Sequence, residues 1–519
     1  MNRQEIISQY LVTAEQMRDI EGRIFASGMP VAALMEKVAG LITRRIRELF
    51  PKDKYPRVGI LVGPGHNGGD ALVVARELYF YGYQVWIYSP FSKLNSKFKE
   101  LTSQHLQYVK SLGIPCYESD ESLPVADFVI DGLFGFGLER VINEPIAIAV
   151  SHINNNYNPI VSIDIPSGLH TDTGEVLGIC ISATVTLCLG LWKLGLLQDQ
   201  ALEYIGKAEL IDFDIPLQDI EAILSPSPQI RRFTDKAAKL TLPLPRPILT
   251  HKYKEGHLLL ISGSQRYAGA AILNGLAASA SGVGMLSIAV PQSIKPILVA
   301  QLPEALIIGC PETENGAIAR LPDDIQHAIE INKYDAVACG SGFTLDASAI
   351  VEQLLSIRHP LLLDADALNI IAKTSAILTL KKRPSTTIIT PHFGEFTRLF
   401  PDIYQSDRVK AAQEAANSSG AVVLFKGART VIATPYSTTF IIPESTPALA
   451  RGGSGDVLTG LLGGLMAIAV KKQLALESIV SLAAWWHAQA GIMAAEENTQ
   501  LGVSAVTLVE YLIKSIRCL

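Results

Sequence analysis

Residues 58–70 read VGILVGPGHNGGD, and this segment is the clearest indication of how the first half of the chain folds. Its apolar run predicts a buried strand, the glycine-rich run after it predicts a loop, and the amphipathic residues 71–81 predict a helix. A strand, a glycine loop and a helix in that order form the phosphate-binding arrangement of α/β proteins, although the spacing matches neither the Rossmann fingerprint nor the Walker loop. The alternative interpretation is a tight turn capped by Asp70.

The same alternation of apolar runs and amphipathic stretches continues along the chain. Further strands are predicted at residues 84–88, 128–130 and 160–163 in the first half, and at residues 257–261, 285–290, 336–338, 361–363, 387–389 and 422–425 in the second. Strands that alternate with helices predict an α/β protein with mostly parallel sheets, covered on both faces.

The domain organisation follows from length and composition. A chain of 519 residues is too long for one compact core, so two domains are expected. Prolines and polar residues without a sustained period fill residues 225–250, which predicts a linker there. The predicted domains are therefore residues 1–224 and residues 251–519.

Composition and charge exclude several classes of function. The net charge of -6 gives no overall basic field, so nucleic acid is not the expected partner. The 6 cysteines are scattered without a CxxC pair, as expected of reduced thiols in a cytoplasmic protein. The N-terminus lacks the apolar core of a signal peptide, and the longest apolar runs, such as residues 457–470, are judged too short to span a membrane. We therefore expect a cytoplasmic enzyme that acts on small molecules, with no membrane partner.

Polar side chains follow several of the predicted strands in the first half. Asp131 and Asp164 each end a strand, Ser167 follows closely, and Asn67 lies in the first glycine loop. A parallel sheet brings such loops to one edge. An isolated aspartate at a strand end is usually a cap or a turn former, but the oxygens of Asn67, Asp131 and Ser167 together suit a weakly demanding cation better than zinc. Asp164 is a candidate base or hydrogen-bonding anchor.

Residues 452–460, GGSGDVLTG, form the corresponding feature of the second half. Glycines allow backbone amides to approach a ligand, and the start of the following apolar helix favours an anion. Asp456 at this junction could accept a proton from a hydroxyl as phosphate is transferred to it. The alternative is a glycine turn with Asp456 as a helix cap. Four other segments follow predicted strands and favour a nucleotide-dependent phosphoryl-transfer site: residues 263–271, 339–343, 390–396 and 426–430.

The first half resembles the NAD(P)H-hydrate epimerase family in five motifs: LMEKVAG at 34–40, the glycine loop at 63–70, DGLFGFG at 131–137, DIPSGL at 164–169 and KLG at 193–195. This resemblance implies a Rossmann-like three-layer domain that binds potassium and interconverts the R and S epimers of hydrated NADH or NADPH. It implies Asn67, Asp131 and Ser167 as potassium ligands, and it implies substrate contacts by His66, Asn67, Gly68, Gly69, Asp70, Gly135, Phe136, Gly137, Leu138, Glu139, Arg140, Val141 and Asp164. The family usually has Asn at the position of His66 and Gly at that of Ala71.

The second half, from about residue 251, resembles the ADP- or ATP-dependent NAD(P)H-hydrate dehydratases of the ribokinase-like fold. The resemblance rests on the four segments above, on the glycine-rich segment 452–460 and on DADAL at 364–368. It implies that Ala270, Gly342 and His392 contact the hydrate, that Lys426, Gly427, Ala428, Arg429, Thr430 and Gly455 hold the nucleotide, and that Asp456 acts at the reacting hydroxyl. Ser454 stands where the family commonly has Thr, which keeps the hydroxyl.

Together the two resemblances imply a bifunctional repair enzyme for hydrated NADH and NADPH. ADP is the expected phosphoryl donor, with ATP possible, and magnesium and potassium are the expected ions. Homo-oligomers are also expected. Two alternatives stay open at this point: a ribokinase-type small-metabolite kinase with an N-terminal regulatory domain, and a first half that is only a ligand-binding or scaffolding module.

Overall fold

The computed structural model describes residues 3–91, 97–119, 123–226, 229–436 and 438–518. The chain divides into two compact units, residues 1–228 (unit 1) and residues 229–519 (unit 2). Each unit is an α/β structure with its own sheet, so the predicted fold class is confirmed.

Unit 1 is built on a seven-stranded, wholly parallel sheet in the order β4-β3-β2-β5-β6-β7-β9. Its strands are β1 (Leu11–Val12), β2 (Arg57–Val62), β3 (Gln84–Tyr88), β4 (Cys116–Tyr117), β5 (Phe128–Gly132), β6 (Ile160–Ile163), β7 (Val185–Leu189), β8 (Trp192–Lys193) and β9 (Lys207–Ile211). Its helices are α1 (Arg3–Ile7), α2 (Ala14–Ala26), α3 (Val31–Leu49), α4 (His66–Phe80), α5 (Glu100–Ser111), α6 (Ile146–Asn156), α7 (Leu202–Ile205) and α8 (Leu217–Leu224). Separately from the main sheet, β1 pairs with β8.

The central strands of unit 1 are buried on both faces. Consecutive residues of β2 point to opposite sides of the sheet, so Ile60 and Leu61 belong to different hydrophobic clusters. Helices α2, α3 and α4 cover the first face, and α6 covers the second. This three-layer arrangement explains why the strands read as apolar runs rather than as an alternating pattern.

Unit 2 is built on a ten-stranded sheet in the order β10-β19-β18-β17-β16-β15-β14-β11-β12-β13. Its strands are β10 (Ile230–Arg232), β11 (His257–Ile261), β12 (Met285–Pro291), β13 (Leu306–Cys310), β14 (Ala336–Cys339), β15 (Leu361–Leu363), β16 (Thr387–Ile389), β17 (Val422–Phe425), β18 (Val431–Ala433) and β19 (Thr439–Ile441). Its helices are α9 (Asp235–Thr241), α10 (Ala268–Ala280), α11 (Lys295–Gln301), α12 (Asp323–Glu330), α13 (Ser348–Leu355), α14 (Asp366–Ile371), α15 (Ala376–Lys381), α16 (Phe393–Leu399), α17 (Arg408–Ser419), α18 (Ser454–Lys472), α19 (Leu476–Gly502) and α20 (Ala505–Ser515). Only the pairs β17–β18 and β18–β19 are antiparallel.

The expected linker differs from the structure. Residues 225–250 contain strand β10, which pairs with β19 from Ile230 to Arg232, and helix α9. Thr234 caps α9 by accepting a hydrogen bond from the Ala237 amide, and Asp235 accepts one from the Trp485 indole at 3.0 Å. These elements belong to unit 2. A three-residue strand is too short to produce a periodic signal, which is why the segment read as irregular.

The expectation that every apolar run is too short to span a membrane was wrong for α18. This helix has 19 residues, and it is the one helix among the described residues that is long and apolar enough for a span. However, 78% of its apolar window is buried inside the protein, so burial rather than length identifies it as a core helix.

Candidate active sites

In unit 1, strands β2, β5, β6 and β7 are neighbours, so the segments that follow them meet at one edge of the sheet. Helix α4 begins at His66 rather than at residue 71, with Gly65 as its N-cap. The expected glycine loop is therefore largely the first turn of a helix, and Asp70 does not cap a turn. The glycines permit close approach: a Cβ at Gly68 would lie 1.9 Å from the Gly63 carbonyl oxygen.

Asp131 is the centre of a buried hydrogen-bond network. Its Oδ1 accepts from the Ser167 hydroxyl at 2.6 Å and from the Leu133 amide at 3.2 Å. Its Oδ2 accepts from the Ser162 hydroxyl and the Ser167 amide, both at 2.9 Å. Burial raises the pKa of Asp131, although these hydrogen bonds oppose the shift. The structure thus brings together two of the three predicted cation ligands, Asp131 and Ser167.

The third predicted ligand, Asn67, lies against the loop after β5. A Cβ at Gly135 would lie 3.3 Å from the Asn67 side chain, and the Asn67 Nδ2 is buried without a hydrogen-bond partner among the described residues. The described residues contain no group of three or more His, Cys, Asp or Glu side chains that could hold a metal ion. An amide, a hydroxyl and one carboxylate are oxygen donors, which suit a hard cation better than zinc.

Asp164 forms a buried ion pair with Lys193, at 2.5 Å between Oδ1 and Nζ. The Lys193 side chain is fully buried, and its ammonium also donates to the Leu189 carbonyl. Burial alone would lower the pKa of Lys193, but the Asp164 carboxylate outweighs burial and the pKa is raised. Asp164 also accepts a hydrogen bond from the Phe136 amide at 3.0 Å. The backbone φ of Asp164 is 69°, which is unusual for a residue other than glycine. Strain combined with a buried charge is typical of functional positions.

The loop that follows β5 is divided between two environments. Phe136, Leu138 and Glu139 line a cavity of about 400 Å³ together with residues of α2 and of the segment 170–172. Gly137, Arg140 and Val141 are exposed. His66 is also exposed, 3.5 Å from Lys99, and burial together with that lysine lowers its pKa.

In unit 2, strands β17, β16, β15, β14 and β11 are adjacent and place polar residues at one edge. Asp364, which follows β15, is buried at the centre of this edge. It accepts from Lys426 Nζ at 2.9 Å and from Thr390 at 2.8 Å through Oδ1, and from Thr459 at 2.8 Å and Ser341 at 3.4 Å through Oδ2. Burial acts against its ionisation, but Lys426 and the hydroxyls outweigh burial and lower the pKa of Asp364.

Lys426 and Asp456 face the same space. The Lys426 side chain is 21% exposed, and Glu395 lies 3.9 Å from its ammonium. Burial and the nearby Asp364 carboxylate raise the pKa of Asp456 to about 6, while Ser341 and Lys426 oppose the shift. A half-buried carboxylate with this pKa is ionised at neutral pH and can accept a proton there.

The glycine cradle is the N-terminus of α18. Gly453 is the N-cap, with a φ of 91°, and Asp456 lies within the first turn rather than capping the helix. The Ser454 amide donates to the Arg451 carbonyl at 3.3 Å. The next two amides of the first turn, those of Gly455 and Asp456, have no partners inside the helix, so they are available to an anion. Two side chains brace this turn: Asn274 donates to the Asp456 carbonyl at 2.8 Å, and His487 contacts the Ser454 carbonyl at 3.0 Å.

The remaining predicted residues of unit 2 are those expected to contact the hydrate and those expected to hold the nucleotide. Gly342 and Ala270 come together, since a Cβ at Gly342 would lie 2.8 Å from the Ala270 Cβ. His392 caps α16 in a capping box with Glu395, and its side chain is 56% exposed. Gly427, Ala428, Arg429 and Thr430 form a turn that is closed by a hydrogen bond from the Thr430 hydroxyl to the Gly427 carbonyl at 3.1 Å.

Several residues that the structure places in these sites had no predicted role. They include Lys193 in unit 1, and Asp364, Thr390, Glu395 and Thr459 in unit 2. For Asp364 and Thr390, the available signal in the sequence was their position directly after an apolar strand. Their partners are distant in sequence, so the ion pairs themselves could not be foreseen.

Comparison with known proteins agrees with the geometry. A sequence profile described as NAD(P)H-hydrate dehydratase matches residues 258–514, and one described as YjeF-related protein N-terminus matches residues 31–195. The bifunctional NAD(P)H-hydrate repair enzyme Nnr of Synechocystis sp. is 51% identical over 98% of this chain and 95% of its own length. The protein with the same name in Thermosynechococcus vestitus is 49% identical over 98% of this chain and 97% of its own length.

Among solved structures, the ADP/ATP-dependent NAD(P)H-hydrate dehydratase from Bacillus subtilis, co-crystallised with ATP and Mg²⁺, is similar to this chain. It is 30% identical, with a TM-score of 0.47, and the match covers 55% of this chain and 98% of that chain. The identities over nearly full length confirm the resemblance seen in both halves of the sequence and favour a bifunctional enzyme over the kinase and scaffold alternatives. The chain therefore belongs to the family of bifunctional NAD(P)H-hydrate repair enzymes.

Proposed function

We propose that unit 1 interconverts the R and S epimers of hydrated NADH and NADPH at the edge formed by Asp131, Asp164 and the start of α4, and that unit 2 dehydrates the S epimer at the expense of ADP. The observation that supports the second role most directly is the position of Asp456 beside Lys426 at the free amides of α18.

The chemistry of dehydration explains this arrangement. Hydroxide is a poor leaving group from a reduced nicotinamide ring, whereas phosphate is a good one. Asp456 accepts the proton of the substrate hydroxyl while the terminal phosphoryl group of the nucleotide is transferred to its oxygen. Lys426 and the first-turn amides of α18 stabilise the charge on that group. This transfer leaves AMP. The ring nitrogen then drives the departure of phosphate, and loss of a proton from the carbon next to the one that carried the phosphate restores the double bond of the reduced coenzyme.

Asp364 has a supporting role in this proposal. Because four side chains already hydrogen-bond to it, its carboxylate is fixed and orients the Lys426 ammonium toward the nucleotide. Residues 427–430 and Gly455 would then contact the nucleotide, and Ala270, Gly342 and His392 the hydrate.

The ions follow from the donor sets. Asn67, Asp131 and Ser167 would hold potassium, which would neutralise the buried Asp131 charge. In unit 2, magnesium would be held chiefly through the phosphate oxygens of the nucleotide, whose negative charge it would offset. We further propose a cytoplasmic location and homo-oligomers, and light scattering of the purified protein tests the latter.

One experiment tests the proposed function. The purified full-length protein is incubated with ADP, magnesium and the separated epimers of hydrated NADH. We expect the absorbance of reduced nicotinamide to return, with one AMP and one free phosphate for each NADH. A phosphorylated product without free phosphate would instead indicate a kinase. Conversion of the R epimer no faster than in buffer would exclude the epimerase role, and repeating this assay with sodium in place of potassium tests the cation.

A further inference from the structure

Unit 1 has more acidic groups at its sheet edge than the Lys193 ammonium can balance. Besides Asp164, the carboxyls of Glu21 on α2 and Asp70 on α4 are half-buried there. Glu21 interacts electrostatically with Lys193 and Asp164, and Asp70 interacts with Glu21 and Asp164. Three carboxyls therefore share one buried lysine, and they cannot all be ionised at low cost.

Glu21 is held in this position by specific local structure. Strand β1 pairs with β8 in a register that sets Val12 opposite Lys193, so α2 starts directly beside the ion pair. Thr13 begins the helix with a capping box. The buried Met17 and Ile20 fix the inner face of α2, and Glu21 follows them. The β1–β8 pairing thus places α2, which contains Glu21, beside the Lys193–Asp164 pair.

A cavity lies one helical turn from Glu21. Arg18, which precedes Glu21 by one turn on α2, lines this cavity of about 400 Å³ together with Phe136 and Leu138. The Phe136 amide donates to Asp164, so one residue of the cavity lining contacts the Asp164 carboxylate directly.

The electrostatic surroundings favour a protonated Glu21. Burial raises its pKa to about 7, with Lys193 opposing, Asp164 adding to the shift and Lys99 opposing weakly. Burial also raises the pKa of Asp70 well above its usual value, with contributions from Glu21 and Asp164.

Other charged groups near α2 are already paired. Asp219 of α8 faces α2 but bonds Arg23 at 3.1 Å, and Arg18 is 3.6 Å from Glu139. Neither pair supplies a second buried cation to this cluster.

We infer that Glu21 is the second proton-transfer residue of the epimerase, acting with Asp164, while Lys193 is a positioning residue that holds the Asp164 carboxyl in place through their buried ion pair. This inference rests on the proposed epimerase function of unit 1, and it adds a residue that lies outside every motif of the sequence resemblance.

The proposed step balances without any further reactant. In the hydrate, the hydroxyl is on the carbon bonded to the ring nitrogen. Asp164 takes the hydroxyl proton as a carbonyl forms, the carbon–nitrogen bond breaks with its electron pair passing to nitrogen, and Glu21 donates its proton to that nitrogen. After rotation of the open-chain aldehyde, nitrogen attacks the other face of the carbonyl. The nitrogen proton returns to Glu21, and the Asp164 proton returns to oxygen. Both residues end in their original states.

The test compares Glu21→Gln with Asp19→Asn, which removes an exposed carboxyl from the same helix. Full-length protein is supplied with the R epimer of hydrated NADPH, and R-to-S conversion is followed by chromatography. We expect Glu21→Gln to lower kcat by about 10² to 10⁴ fold, as for the loss of a general acid. Asp19→Asn should behave as wild type.

The pH profile separates a catalytic role from a structural one. Because Glu21 must be protonated to donate, wild-type activity should fall above about pH 7, and this alkaline limb should disappear in Glu21→Gln. An unchanged rate or an unchanged alkaline limb in that variant would overturn the inference. If Glu21→Gln does not fold, Glu21→Asp decides: a shifted limb supports the role, and an identical profile refutes it.

Failure of this inference can be told apart from failure of the proposed function. If the wild-type protein does not accelerate R-to-S conversion, the epimerase assignment itself falls. If the wild type is active and Glu21→Gln is equally active, only the role of Glu21 falls. The dehydratase activity of unit 2, measured on the same sample, reports the amount of intact protein.

Discussion

Both units place a lysine–aspartate ion pair at the carboxyl edge of a parallel sheet, but the two pairs differ in what they leave accessible. In unit 2, hydroxyl groups donate hydrogen bonds to Asp364, while the Lys426 side chain is 21% exposed. In unit 1, Lys193 is fully buried and Asp164 nearly so, while the further carboxyls, Glu21 and Asp70, are half-buried beside them.

The difference shows how one electrostatic element can serve opposite purposes. A lysine that is oriented by a saturated aspartate presents a fixed positive charge, which suits the phosphates of a nucleotide. A lysine that is sealed behind an aspartate instead stabilises carboxylates, which suits proton transfer. The neutral donors around the two aspartates also differ, since Asp364 accepts from three hydroxyls whereas Asp164 accepts from the amides of Phe136 and Leu189.

The largest expected effect concerns Asp456. Replacing it with Asn removes the base of unit 2 but none of the ion-pair geometry, so kcat for dehydration should fall by about 10² to 10⁴ fold. R-to-S conversion by unit 1 should be unchanged, and it serves as the internal control. Substantial remaining dehydration would show that Asp456 is not the base and would remove the functional contrast between the units.

Next in size is the effect of Lys193→Met on stability. This change leaves the Asp164 charge buried and unpaired, which should cost about 3–5 kcal/mol in the free energy of unfolding of unit 1. Urea unfolding, followed through epimerase activity and circular dichroism, measures it. Adding Asp164→Asn should recover part of the loss, because the double variant contains no buried charge at this position. A loss of unfolding free energy smaller than that of a surface substitution would contradict the view that Lys193 neutralises a buried charge.

Lys426→Met should change binding more than stability. Asp364 keeps its bonds from Thr390, Thr459 and Ser341, so unit 2 should stay folded. Loss of one charged hydrogen-bond donor should weaken ADP binding by about tenfold to a hundredfold. Titration calorimetry with ADP and magnesium gives the Kd. Unchanged affinity combined with severe unfolding would mean that Lys426 has the same structural role as Lys193.

The smallest expected effect is the pH dependence of dehydration. Because the pKa of Asp456 is raised to about 6, the base loses its charge as the pH falls through that value. The rate should therefore be level above about pH 7 and fall about tenfold per pH unit below about pH 6. The residual activity of Asp456→Asn should lack this acidic limb. A level profile in the wild type down to about pH 5 would indicate that another group accepts the proton.

Strands were the most predictable part of the structure. The bounds predicted for β6, β11, β15, β16 and β17 match those observed. These strands lie inside the sheets, all except β17 between two parallel neighbours, and burial on both faces requires a continuous apolar run that is visible in the sequence. Helix starts were less predictable, because the glycines at the start of α4 and α18 read as loop formers. Gly68 allows the start of α4 to pack closely against Gly63, and that contact is not visible in a linear sequence.

The candidate sites could be predicted only in part. Residues directly after strands, such as Asp131 and Asp164, were found because parallel topology brings strand ends together. The Lys193–Asp164 and Lys426–Asp364 pairs join positions 29 and 62 residues apart, and no local pattern encodes which lysine meets which aspartate. Glu21 has no motif at all, since its place depends on the β1–β8 pairing.

Helix α18 has a consequence for the synthesis of this protein. The helix is apolar enough to enter a bilayer, and it is covered in the native state partly by α19 and α20, which follow it in the chain. A nascent polypeptide that has emerged only as far as residue 475 therefore exposes the apolar helix α18 before α19 and α20 have been synthesised. We expect truncations that end there to aggregate or to associate with vesicles, because α18 would lack the two later helices that cover it.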